Sequence, residues 1–156
     1  MRQTIAAIGV MMTLCAGNAQ AAAAVISNAT HTQVRRARAL LEDYMAGFEH
    51  ADTAALERAL RADAALEMVG TRTWFSGRVR CLRYLEHVVG SPGDWLMIPT
   101  LANGQPAAAA WYRDAGGRRQ AFGVAVLTVT PAGISRITVF AGGPAQVAQF
   151  GLSPAD

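Results

Sequence analysis

The chain offers 11 Asp and Glu, three His and two Cys for chemistry. The histidines, His31, His50 and His87, are scattered, and no metal-ligand spacing links them, so neither a metal nor a cofactor is expected. There is no GxSxG, no phosphate loop and no CxxC. Cys81 lies in "VRCLRYLEH", which reads as helix. His87, six residues on, falls off its face, so Cys81 reads as a packing cysteine with no local base. Among the acids, Asp63 is expected at a helix–strand junction, and Asp94 and Asp114 at strand ends. Glu67 is the more open case. In "AALEMVG", strand alternation puts Leu66 and Met68 on one face and Glu67 on the other. If that second face lines a pocket, desolvation would raise the Glu67 pKa and equip it for proton transfer. If it does not, Glu67 is a surface or interface charge.

These residues need elements to hold them. Leu40, Leu41, Tyr44, Met45 and Phe48 recur at helical spacing and mark an amphipathic first helix. "HAD" ends the pattern. Asp52 or Thr53 caps a second helix whose buried face is Leu56, Ala59 and Leu60. A short strand follows at "AALEMVG", then a turn at "TRTWFSG". "RVRCLRYLEHVVG" predicts a third helix with Val79, Leu82, Leu85 and Val89 inward, closed by Gly90. Strands are predicted over about 94–102 and 105–114, joined by Asn103-Gly104, a strong hairpin signal. Two more follow at 118–130 and in "ISRITVFAG", and "AQVAQFGL" closes the chain as a half-helix. Helices first and an antiparallel meander later argue for an α+β fold. The strand at 118–130 is apolar on both faces, which predicts a homodimer through the sheet face turned away from the helices.

Hydrophobic residues make up 52% of the 156 and charged residues 16%, enough for one domain with a real core. The net charge is +3, every basic residue is Arg, and the arginines are scattered, so no direct nucleic-acid contact is expected. One Arg, an apolar run from Ile5 to about Ala16, and Ala19-Gln20-Ala21 have the order of a secretory signal peptide. The run is too short for stable membrane insertion, which takes about 20 residues. The expected division is a signal segment 1–21, a flexible lead 22–33 and a domain 34–156, in an exported protein, periplasmic or secreted. A misassigned start would leave it cytoplasmic.

"LEDYMAGFEHADTAALERALRADAALEM" and "TWFSGRVRCLRYL" resemble the opening and the step into the third helix of the SnoaL-like, nuclear transport factor 2-like superfamily. More narrowly, "ALEMVGTRTWFSG", "GSPGDWLMIPTLANGQPAAAAWYR", "AFGVAVLTVTPAGISRITVF" and "FGL" resemble the C-terminal SnoaL-like domain of extracytoplasmic-function sigma factors of GC-rich bacteria. The resemblance covers about residues 36–154. It implies a cone-shaped fold of three helices packed on a strongly curved antiparallel sheet around a pocket. Promoter-binding regions are expected to be missing, so only the accessory domain's properties carry over.

The ketosteroid isomerase of that superfamily uses a carboxylate base and two oxyanion donors, a Tyr and a protonated Asp. By resemblance the Tyr falls on Tyr44, the base on Met68 and the acid on or near Ala125, so two of the three groups are absent. Tyr44 and Glu67 are the weak catalytic candidates that remain. The expected pocket draws Tyr44 and Phe48 from the first helix, Trp74 and Phe75 at the rim, and Met97, Trp111, Phe122 and Val124 from the sheet. Asn103 and Gln105 are added as polar groups, and the alanines at 107–110 leave volume. The function expected is binding of a small apolar ligand or a protein partner without catalysis. One alternative is a SnoaL-type isomerase, cyclase or hydrolase acting on a small organic substrate. A second is a sigma-factor remnant affecting transcription.

Overall fold

The computed structural model describes residues 30–153. The signal-like segment 1–21 with Cys15, and residues 22–29 of the expected lead, lie outside the described residues. The chain divides into two units, 1–36 and 37–156. Of the first, residues 30–36 are helical and exposed.

Helix α1 runs over 30–49. From Leu40 onward its apolar stripe is buried as the spacing predicts, with Leu40 at 1% and Tyr44 at 2% exposure. Helix α2 is Thr53–Ala59, and the Asp52 carboxylate accepts the Ala55 amide at 3.0 Å as its N-cap. Gly47 lets α1 and α2 meet, because a Cβ there would lie 2.5 Å from Leu56 Cγ. α2 stops one residue earlier than its apolar pattern suggests. Leu60 is extended and opens strand β1, Leu60–Met68, where it pairs with Ile134. Sheet pairing here overrides the helical propensity of "ALRADAAL".

The stretch read as a turn at "TRTWFSG" contains a short strand, β2, Trp74–Ser76, which pairs with β1. Helix α3 is Arg78–Val88. Its buried residues are Cys81 and Leu85, with Val89 beyond its end, whereas Val79 is 68% exposed and Leu82 half-buried. Position 79 lies about 200° around the helix from Cys81, so one of the two must face solvent. The Cys81 thiol sits against the carbonyl of Ala64 at 3.5 Å, and burial pushes its pKa up, as suits a packing residue.

Strands β3 (Trp95–Ala102), β4 (Gln105–Arg113), β5 (Arg119–Thr130) and β6 (Gly133–Phe140) form the meander. Asn103 and Gly104 both take positive φ, as a two-residue hairpin turn of this kind requires. The sheet order is β2-β1-β6-β5-β4-β3. β1 joins β6 in parallel, so this curved, unclosed sheet is mixed and not purely antiparallel.

Two irregularities set which side chains face the helices. In β4–β5, Ala110 pairs with Gly123 but Trp111 pairs with Ala121, so Phe122 is an extra residue. Phe122, Ala125 and Leu127 therefore pack with the helix-side core, while Ala121, Val124 and Val126 join the opposite face. In β5–β6, Val129 pairs with Ile134 and Thr128 with Arg136, which leaves Ser135 over and brings both Ile134 and Ile137 to the core.

The other face of the sheet has its own apolar layer. Ala107, Ala109, Trp111, Val124 and Val126 pack with Val147 of helix α4 (Gly143–Ala148), Phe150 and Leu152. The chain's own C-terminal segment thus covers the second apolar face of β5, which gives no separate reason for a homodimer.

Candidate functional site

Between the helices and the core face of the sheet lies a cavity of about 160 Å³. Tyr44 and Phe48 from α1 and Tyr84, Leu85 and Val88 from α3 form one side of it. Leu66 and Met68 (β1), Val139 (β6), Phe122 and Ala125 (β5), Ala110 (β4), and Trp95 and Met97 (β3) form the other. Volume is available because the sheet contributes only a methyl group at Ala110 and at Ala125. The rings are interlocked. Tyr44 and Phe48 lie 5.1 Å apart, Phe48 meets Trp95 edge-on at 5.5 Å, and Trp95 meets Phe122 at 5.3 Å and 90°. The Trp95 indole N–H donates to the Val88 carbonyl at 3.0 Å and fixes β3 to the end of α3.

Among the described residues no carboxylate, imidazole or guanidinium lines this cavity; its side-chain hydroxyls are those of Tyr44 and Tyr84. Burial pushes the Tyr44 hydroxyl well above the ordinary tyrosine range, and the nearby Tyr84 adds to the shift. Tyr44 is therefore a neutral hydrogen-bond donor at any pH near neutrality. Because its folded pKa is the higher one, its contribution to stability is complete below about pH 10 and is lost as the pH rises further. An alkaline spectrophotometric titration is expected to show one tyrosine that ionises only together with unfolding. Reversible titration of every tyrosine in the folded state would contradict this.

The sequence-derived site residues separate into three places. Tyr44, Phe48, Met97 and Phe122 meet at the cavity. Phe75 stacks on Tyr84 at 4.8 Å, packing on the core behind the wall, and Trp74 is 59% exposed. Asn103, Gln105 and Val124 line a separate hollow of about 260 Å³ on the other side of the sheet, under Phe150, and Trp111 is buried on that same side. The alanine run divides likewise. Ala108 and Ala110 belong to the helix-side core and Ala107 and Ala109 to the other layer.

Glu67 points away from the cavity, and its Oε2 accepts from Arg136 at 3.3 Å in a half-exposed pair. It is the surface charge of the two readings. Glu67→Gln is expected to change stability by less than about 1 kcal/mol, the usual worth of an exposed pair. A melting-temperature comparison checks this, and a large loss would contradict it.

Tyr84 and Trp95 had no signal in the sequence beyond their place in a helix and a strand. Glu49 was also missed. Its carboxylate accepts the Met97 amide at 2.8 Å and its carbonyl the Gly93 amide at 2.8 Å, which docks β3 on the end of α1. No group of three or more His, Cys, Asp or Glu able to hold a metal occurs among the described residues. None of their helices is long and apolar enough to cross a membrane.

No protein-family model matches the chain. In sequence it is 35% identical over 106 residues to the extracytoplasmic-function RNA polymerase sigma factor SigG of Mycobacterium tuberculosis. That match takes in 67% of this chain but only 28% of the sigma factor, so the chain spans under a third of the curated relative's length. Among solved structures, a putative ketosteroid isomerase from Kribbella flavida superposes with a TM-score of 0.53 at 27% identity, over 70% of this chain and 78% of that one. An NTF2-like protein of unknown function from Mesorhizobium loti superposes with a TM-score of 0.57 at 16% identity, over 70% and 93%. The chain thus has the nuclear transport factor 2-like, or SnoaL-like, fold and is related in sequence to a segment of an extracytoplasmic-function sigma factor.

Proposed function

We propose that this domain binds a small, largely apolar molecule in the cavity between its helices and sheet and performs no acid–base chemistry on it. The observation that carries the reading is the cavity's lining. It is hydrocarbon, aromatic and thioether throughout, with the hydroxyls of Tyr44 and Tyr84 to orient a guest. Its size, about 160 Å³, is close to that of apolar protein cavities of about 150 Å³ that take up benzene. The isomerase resemblance puts the base at Met68 and the acid on or near Ala125. Both line this cavity, and neither can carry a proton.

The isomerase-like, cyclase-like or hydrolase-like alternative draws support from the Kribbella flavida relative's description as a putative ketosteroid isomerase. It would need a proton-transfer group in the cavity, and Glu67, bound to Arg136 on the opposite face, does not supply one. A role in transcription would rest on the likeness to SigG alone.

Titration with benzene, toluene and indole tests the reading, followed by melting temperature and by tryptophan fluorescence, since Trp95 is part of the wall. A guest at a hundred times its dissociation constant is expected to stabilise by about 2.7 kcal/mol. Absence of any shift with all three would overturn the binding reading. A carbonyl-compound turnover that is lost in Tyr44→Phe would favour the enzyme.

A further inference from the structure

A third, more open cleft of about 450 Å³ is lined by Val88, Asp94, Trp95, Tyr112, Arg113 and Phe122. Val88, Trp95 and Phe122 are also walls of the inner cavity. The two spaces therefore share one set of side chains as a wall, and a molecule seated inside lies directly beside this cleft.

Arg113 is the one cation among the cleft's lining residues, and Arg119, outside that lining, stands next to it in the sheet. Arg113 lies directly opposite Arg119 in the β4–β5 register. Like charges so placed repel, and an opposing acid is the ordinary remedy. Among the described residues, neither guanidinium has a carboxylate within ion-pairing distance. The five ion pairs found use Arg38, Arg58, Arg61, Arg118 and Arg136. Each of the two arginines instead spends a nitrogen on a backbone carbonyl, Arg113 on Gly117 at 3.1 Å and Arg119 on Asp94 at 3.0 Å. The remaining guanidinium N–H groups are available to a further acceptor. Asp94 is the one acid of the cleft. Its Oδ2 accepts the Ser91 amide at 2.8 Å and lies 2.6 Å from where a Cβ on Gly90 would be, so it is tied to its own loop.

We propose that the guest of the inner cavity is an amphiphile, an apolar ring or short chain ending in a carboxylate, with the carboxylate received at the cleft by Arg113 and Arg119. This rests on the reading of the inner cavity as a binding site and adds the chemical class of the ligand. A guanidinium pair suits a carboxylate because its planar fork can donate two parallel, charge-assisted hydrogen bonds. The like-charge repulsion between the two arginines is relieved when the anion arrives.

The test compares 3-phenylpropionate with its methyl ester by isothermal titration calorimetry, at low and at high salt. The wild-type protein is expected to bind the carboxylate about tenfold more tightly than the ester at low salt. That preference should shrink as salt screens the partly exposed arginines. In R113Q, and in R113Q combined with R119Q, the carboxylate-to-ester ratio is expected to fall to near one. Equal affinities in the wild type, or a ratio that survives both substitutions, would overturn the proposal. Ester binding with no carboxylate preference would leave the inner cavity's role standing and remove only this one. Failure of both probes to bind would remove both.

Discussion

Gly123→Ala is expected to destabilise the fold by roughly 2–6 kcal/mol. About 1–3 kcal/mol comes from displacing packed neighbours, and about 1–3 from the backbone conformation itself. A Cβ at this position would stand 1.9 Å from the carbonyl oxygen of Phe140 and 3.0 Å from the Cα of Ala141, at a φ of +156°. These are backbone atoms at the end of β6 and of the residue directly after it, so they can yield only by opening the end of the β5–β6 ladder. Gly123 also sits beside the extra residue Phe122, whose insertion lets Phe122 and Ala125 both reach the cavity. Strain here therefore threatens the cavity wall as well as stability. Gly117→Ala is a suitable control, because φ is +79° there and nothing lies within 4 Å of an added Cβ. It carries only the conformational cost. Urea unfolding of both variants measures the difference, and equal midpoints would show that the tight β5–β6 approach is not what Gly123 secures.

The second large effect is on binding. Ala125→Leu is expected to reduce affinity for benzene or indole at least about tenfold, while leaving the melting temperature unchanged or raising it. Ala125 is 4% exposed and its methyl group faces the cavity. A leucine there places its extra carbons in the space a guest would use. Each methylene buried without strain contributes about 0.8 kcal/mol, which offsets the cost of choosing a rotamer. If the interior were closely packed instead, the same substitution would overpack it and cost about 1–3 kcal/mol. The sign of the stability change thus separates an open cavity from a filled one, and the affinity change shows whether the guest occupies it.

Much of this was legible in the residues, and the failures have local causes. The hairpin at Asn103-Gly104 and the stripe through Leu40, Tyr44 and Phe48 follow from backbone and helical periodicity, and both appear in the fold. Strand alternation then misleads wherever the ladder slips. Counting by twos puts Val124 on the face of Phe122, but the extra residue in β5 sends Val124 to the opposite layer. The same uncertainty hid the choice between Trp111 and Tyr112. Trp111 packs under the C-terminal segment, and Tyr112 lines the outer cleft. The parallel pairing of β1 with β6 joins segments about 70 residues apart, which no local pattern encodes. The apolar second face of β5 was visible, but α4 and Phe150 as its cover were not, because a short terminal helix announces no docking site. Tyr84 and Trp95 became cavity residues only once α3 and β3 were seen to cross the same space.

The central claim is that the space between α1, α3 and the sheet is a binding site, and a crystal structure determined in the presence of benzene tests it most directly. The account predicts a planar guest enclosed by Tyr44, Met68, Tyr84, Ala110, Phe122 and Ala125, with these side chains little moved. A cavity closed by repacked side chains, with benzene bound elsewhere or not at all, would contradict it.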